Sequence, residues 1–311
     1  MSRHINALLL GLTVASATAA CGPVETEEEA LFRTAVDLRL PMPQPDPKYV
    51  DFVGLDTVIK PGEDKMVCVH IKHEGPAIAY DVAETMQSKF GHHFILLKAK
   101  DPKPAGSVED CSKAEDMAKY DVLTIPEFEL AAGQGFYLES GTPMVMQSHY
   151  VNTSREPIRI RDILRIHKVD PSSVKTWAAT FALASLKYDI KPFERAKYTF
   201  DCTMPSDQQL IMIGGHMHEW GTKFSFAYGD SPTGTMKEIY KVDTWRAEYR
   251  DAPPTTLLRD KPLLLAKGTA LRTECQWFND TMQPLDFPHE MCSTFGVVLD
   301  TKENWSCILD K

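Results

Sequence analysis

The sequence predicts an all-β protein built as two tandem antiparallel β-sandwich domains of jelly-roll type. Three observations carry this. Short apolar or β-branched runs recur along the chain, among them Met66 to Ile71, Phe94 to Leu97, Met144 to Tyr150 and Ile158 to Ile166. Turns rich in Gly, Pro, Asn and Asp separate them, as at Ser140-Gly141-Thr142-Pro143. Asp170-Pro171-Ser172-Ser173 punctuates the chain near its middle and divides 35–169 from 170–311. With 311 residues, 43% of them hydrophobic, each part is long enough to bury a core of its own.

Taken in order, residues 1–20 read as a signal peptide. Arg3 supplies a positive start, and Ala7 to Val14 is apolar but too short to span a bilayer. The stretch Ala19-Ala20-Cys21-Gly22 has the small residues before a cysteine that precede lipid attachment in bacterial lipoproteins, with Thr18 where leucine is more usual. An ordinary signal peptide cut at Ala17-Thr18-Ala19 is the other reading, and both export the protein. With Cys21 lipidated, Gly22 in place of aspartate points to the outer membrane or cell surface of a Gram-negative bacterium. Residues 21–34 are acidic and read as a tether, or as a short capping helix.

Seven cysteines (21, 68, 111, 202, 275, 292 and 307) leave six for disulfides if Cys21 carries lipid; six allow 15 pairings. The formal net charge of -9 argues against nucleic acid as a partner.

Asp81 to Phe90 and Ser112 to Tyr120 read as short helices or loops. Val174 to Tyr188 is rich in Ala and Leu, so local helix propensity competes with the strand reading. Phe224 to Tyr228, Glu238 to Val242, Pro262 to Leu265, Ala270 to Phe278 and Thr294 to Leu299 read as strands. No close internal repeat stands out. Sequons start at Asn152, Asn279 and Asn304 and are incidental in a bacterial lipoprotein.

The chemistry centres on His216-Met217-His218, which follows the strand-forming run Gln209 to Ile213. On a continuing strand the two imidazoles share one face. That is half of a site for zinc, copper, iron or nickel, or else a pair of histidines on a wet face. His92 and His93 are adjacent and would point opposite ways on an ideal strand. They can share a metal only at a strand end or a bulge, and Gly91 supplies backbone freedom there. His149 ends another strand. His70, His73 and His167 read as structural or solvent-facing, His4 leaves with the signal peptide, and His289 is ambiguous. Met291 is either core filler or a thioether ligand, and a thioether selects Cu(I).

Four motifs, His92-His93-Phe94, Gln147-Ser148-His149-Tyr150, His216-Met217-His218 with Gly221, and Glu290-Met291-Cys292, stand in one order along the chain. In that order and with comparable gaps, they resemble the copper type II, ascorbate-dependent monooxygenases. That family includes peptidylglycine α-hydroxylating monooxygenase and dopamine β-monooxygenase. The resemblance runs from about Asp37 to Cys307. It implies that His92, His93 and His149 hold an electron-transfer copper in the first domain, and that His216, His218 and Met291 hold the catalytic copper in the second. It implies two copper ions as cofactors, ascorbate or another one-electron donor, O2, and hydroxylation of a C–H bond of a small-molecule substrate. It also implies the disulfides Cys68 with Cys111, Cys202 with Cys307, and Cys275 with Cys292.

The departures concern substrate. Where the peptide-hydroxylating member has an arginine two residues before His-x-His, this chain has Gly214; its asparagine and tyrosine after the methionine become Ser293 and Phe295. Glycine and phenylalanine offer no side-chain hydrogen bond, so the resemblance implies retained chemistry on a changed substrate. The rival readings are a non-catalytic copper-binding or electron-transfer lipoprotein and a cupin-type metal enzyme. A cupin places its glutamate a few residues after the second histidine, whereas Glu219 follows His218 directly.

Overall fold

The computed structural model describes residues 25–113 and 117–309. Its regular secondary structure is nearly all strand, as the sequence predicts. A five-stranded sheet runs Val108–Asp110, Asp64–Lys72, Pro143–Val151, Gly91–Ala99, Tyr120–Val122 in spatial order. A four-stranded sheet runs Arg195–Thr203, Ala270–Phe278, Gly221–Gly229, Lys237–Val242. Between them lies one long sheet that takes strands from both parts of the chain. Its first-part strands, Gln134–Leu138, Ile78–Met86, Ile163–Val169 and Tyr49–Val53, back the five-stranded sheet. Its second-part strands, Thr176–Ser185, Ser293–Leu299 and Gln208–His216, back the four-stranded sheet.

Two sandwiches therefore stand in tandem but share a sheet. The junction is the parallel pairing of Thr176, Trp177 and Ala178 with Gln134, Gly135 and Phe136. Asp170-Pro171-Ser172-Ser173 forms a capped 3-10 turn just before it, Asp170 accepting from the Ser172 amide. Parallel pairs also join Thr176–Ser185 to Trp305–Leu309 and Val36–Asp37 to Ile158–Ile160, so the sheets are not purely antiparallel.

The second-part strands of the long sheet are buried on both faces. Met212, Val297 and Leu299 pack into the first core, while Leu210, Ile213 and Val298 pack into the second. Strands covered on both sides read as continuous apolar runs without alternation. This explains why Val174 to Tyr188 looks helical by composition yet forms the strand Thr176–Ser185. Small residues are needed here because neighbours come close: a Cβ on Gly296 would meet the Phe181 ring at 2.5 Å.

One expectation is corrected and a second holds. Asp81 to Phe90 is not a helix or loop at its start, because the strand Ile78–Met86 runs through it between Ile163–Val169 and Gln134–Leu138. Ser112 to Tyr120 keeps the expected loop, helix and turn in its described residues up to 119; residues 114–116 lie outside the described residues, and a strand begins only at Tyr120. In the acidic stretch the helix alternative holds for Glu27–Thr34, with Thr26 and Glu29 forming a capping box. The guanidinium of Arg159 lies 3.9 Å from the centre of the Phe32 ring, which ties the helix to the fold. The signal peptide and Cys21 lie outside the described residues. Among those described, no helix is long and apolar enough to cross a membrane.

Three disulfides form, Cys68–Cys111, Cys202–Cys307 and Cys275–Cys292, in the pairing the resemblance implies. Bridges of this kind are those of an exported protein. Two of the three sequons are turn devices. Asn152 and Asn279 are fully buried. Each accepts through Oδ1 from the amide and hydroxyl of the residue two further on, and each donates through Nδ2 to the carbonyl four further on. The two sandwiches thus share a turn, written in both as Asn-x-Ser/Thr-x-x-Pro at Asn152 to Pro157 and Asn279 to Pro284.

Asp162 gives a pH test of the fold. It is fully buried, Gln87 donates to its Oδ2 at 3.2 Å, and burial raises its pKa to about 6. A raised carboxyl pKa favours the protonated form in the folded state. Its contribution is present in full below the unfolded value near 4 and is lost as pH rises through about 6. Two units correspond to about 3 kcal/mol. Between pH 4 and pH 7, denaturant melts of Asp162→Asn should therefore gain about that much on the wild type. A constant difference across the range would contradict it.

Candidate metal centre

His92, His93 and His149 meet where Gly91–Ala99 pairs with Pro143–Val151. His149 lies opposite His93, but Tyr150 lies opposite Gly91, so His92 is the extra residue of a β-bulge. A bulge re-aims one side chain, and it is what lets neighbouring histidines converge. Gly91 also fits tightly, because a Cβ there would meet the Gln87 side chain at 2.8 Å.

His216 ends the strand Gln208–His216 and His218 sits in the turn after it. Between them Met217 points the other way, fully buried in the second core. The turn is pinned. The Trp245 indole donates to the His218 carbonyl at 2.9 Å. Glu290, fully buried, accepts from the amides of His218, Trp220 and Met291 at 3.0 Å each and from the Trp277 indole at 2.8 Å. Burial raises the pKa of this carboxyl to about 7. Gly221 closes the turn against Trp245 and Met217, where a Cβ would meet ring and methyl carbons at 2.7 and 2.8 Å.

The two pairs of strands bring five histidines together. Ring centres lie 4.8 Å apart for His92 and His149, 5.3 Å for His92 and His93, 5.6 Å for His92 and His218, and 6.0 Å for His92 and His216. Two groups, His92–His93–His149 and His92–His216–His218, each offer nitrogens that all lie within 4.8 Å of one another. The expectation from sequence keeps the two triads in separate domains; in the structure they adjoin and His92 belongs to both groups.

Four of the five rings have one nitrogen committed to an oxygen acceptor. His92 Nδ1 donates to Asp251 at 2.5 Å, His149 Nε2 to Asp64 at 2.6 Å, His93 Nε2 to Gln147 at 3.0 Å, and His218 Nδ1 to the His289 carbonyl at 3.0 Å. An acceptor on one nitrogen fixes the tautomer and leaves a lone pair on the other. His218 Nε2 is buried with no hydrogen-bond partner. Such an orphan costs free energy unless something binds it. Burial holds His92, His93 and His216 below the ordinary histidine range and His218 down to about 3, so these rings are neutral at neutral pH. Neutral, oriented imidazoles with free lone pairs are the donor set a transition metal takes, and the residues fit one.

Met291 precedes Ser293, the residue opposite His216 across the strand pair, and its amide is held by Glu290. Cys292, next to it, is bridged to Cys275 and fully buried. His289 contributes its carbonyl, while its ring is exposed beside Asp286. His70, His73 and His167 stay outside the cluster, bonded to Glu109, the Pro76 carbonyl and Asp81.

Sequence reasoning missed the residues that orient the rings. Gln147 had a signal, two residues before His149 in the motif. Asp64 had none, and neither did Asp251, which reaches His92 from 159 residues away. Arg250 braces Asp251 and also reaches Glu219.

No protein-family model matches the chain, and no curated protein matches it. Among solved structures, it is similar to the major capsid protein P2 of bacteriophage PM2, at 10% identity over 82% of this chain and 100% of that one, with a TM-score of 0.32. It is also similar to a structure of infectious bursal disease virus, Gx strain, at 8% identity over 83% of this chain and 75% of that one, with a TM-score of 0.24. Likeness at that level carries no argument about function.

Proposed function

We propose that the protein is an exported copper-dependent monooxygenase that hydroxylates a C–H bond of a small apolar substrate, with O2 and a one-electron donor such as ascorbate. The observation that carries the reading is the convergence of both histidine groups on one site, with His218 Nε2 buried and unpartnered. His92, His93 and His149 would hold one ion, and His216, His218 and Met291 the other. Bound copper would supply the one-electron steps and the activation of O2. The chain's own part is orientation: Asp251, Asp64, Gln147 and the His289 carbonyl set the rings, and Glu290 fixes the backbone of both His218 and Met291.

The substrate class follows from Gly214 and Phe295, which lie opposite each other on paired strands two residues from His216 and Ser293. A Cβ at 214 would meet the Phe295 ring at 2.5 Å, so the ring stands where an anchoring side chain would start. With phenylalanine at 295, position 214 accepts only glycine. This supports an apolar surface beside His216 with no cation for a carboxylate.

Copper-loaded protein, supplied with ascorbate and O2, should hydroxylate small apolar compounds from a panel and leave a glycine-extended peptide untouched. Copper binding with peroxide release and no hydroxylated product would favour the non-catalytic electron-transfer reading instead. We further read Cys21 as the lipid attachment that holds the protein at the outer membrane or cell surface. Mass spectrometry of the mature N-terminus decides it, and an unmodified Cys21 would refute the anchor.

A further inference from the structure

We infer that His92 is an exchangeable ligand, and that the two three-histidine groups are alternative sites for a single divalent cation. The inference rests on reading the histidines as a metal centre and is independent of the oxygenase chemistry. His92 belongs to both groups, and in each group all the donor nitrogens lie within 4.8 Å of one another. Its ring is similarly placed towards His149 and His93 on one side, at 4.8 and 5.3 Å, and His218 and His216 on the other, at 5.6 and 6.0 Å. It has only one nitrogen to give, because Nδ1 is bound to Asp251. Asp251 comes from the second part of the chain and His92 from the first, so the hydrogen bond holds the ring between the two groups.

An ion that takes three imidazoles can therefore have His92 in one group or in the other, but not in both. In the cross-part group it would tie the bulge of the five-stranded sheet to the end of Gln208–His216. Three neutral imidazoles with an open position suit a borderline divalent ion such as Zn2+ or Co2+. A soft ion differs, since the Met291 thioether can complete the His216–His218 pair and release His92 to His93 and His149.

The test is titration of apo-protein with Co2+, read by its visible absorption and by calorimetry. Wild type should bind one equivalent tightly. His149→Ala or His218→Ala alone should each keep one equivalent, within about tenfold of wild-type affinity, because the other group survives. His92→Gln, which removes the shared imidazole, should weaken binding by about 100-fold or more, and the double variant His149→Ala/His218→Ala should do the same. Far-UV circular dichroism of each variant checks that the fold is retained. Two equivalents of equal affinity in wild type, a tight site surviving in His92→Gln, or outright loss in either single variant would overturn the inference. Cu(I) uptake and hydroxylation are measured separately. Normal copper behaviour with failed Co2+ predictions would sink this inference alone.

Discussion

Glu290→Ala should cost more stability than any other single change near the site. It leaves four donors unpaired, the amides of His218, Trp220 and Met291 and the Trp277 indole, around a carboxylate with no exposed surface. An orphaned buried donor costs about 1–3 kcal/mol, so the sum is about 4 kcal/mol or more, a large part of the 5–15 kcal/mol typical of a folded protein. Thermal melts should fall by ~10 °C or more. Copper retention should fall with them, since the same carboxylate positions His218 and Met291. Glu290→Gln should be intermediate, because the amide oxygen can accept while its NH2 faces donors. A melting point within about 2 °C of wild type would show that the carboxylate does not hold this turn.

Met291→Ile should separate ligand from filler. The swap keeps apolar bulk and removes the sulfur. Volume-conserving replacements in a core cost about 1.5 kcal/mol or less, so the fold should survive. As a ligand, its loss should remove the sulfur scatterer from X-ray absorption of the reduced, copper-loaded protein and abolish O2 consumption. An unchanged sulfur signal would return Met291 to the core. Its place two residues before Ser293, the cross-strand neighbour of His216, is the structural ground for expecting the first outcome.

The fold class was legible because strands with one wet face alternate, as in the Ala270–Phe278 burial pattern. It was least legible where a sheet is covered on both faces. There Ala178, Ala182 and Ala184 serve close packing and imitate helix composition. Ile78–Met86 escaped because its Asp81 and Glu84 look like loop residues. Asp81 in fact pairs with His167 on the neighbouring strand.

At the site, the five histidines and the need for a bulge were readable from local spacing. The convergence of the two groups was not, because it depends on one sheet continuing across Asp170-Pro171. No local pattern encodes that continuation. Asp64 meets His149 across two paired strands of the five-stranded sheet, and Asp251 meets His92 across the two parts of the chain, so neither contact leaves a local pattern.

Copper is the ion that these histidines are proposed to hold. Anaerobic titration of the apo-protein with Cu(I), in competition with a chelating chromophore, tests it most directly. Uptake should be tight and saturate near two equivalents, with one equivalent lost in His216→Ala and in His218→Ala. Absence of tight copper binding, or zinc held in preference to copper at both sites, would contradict it.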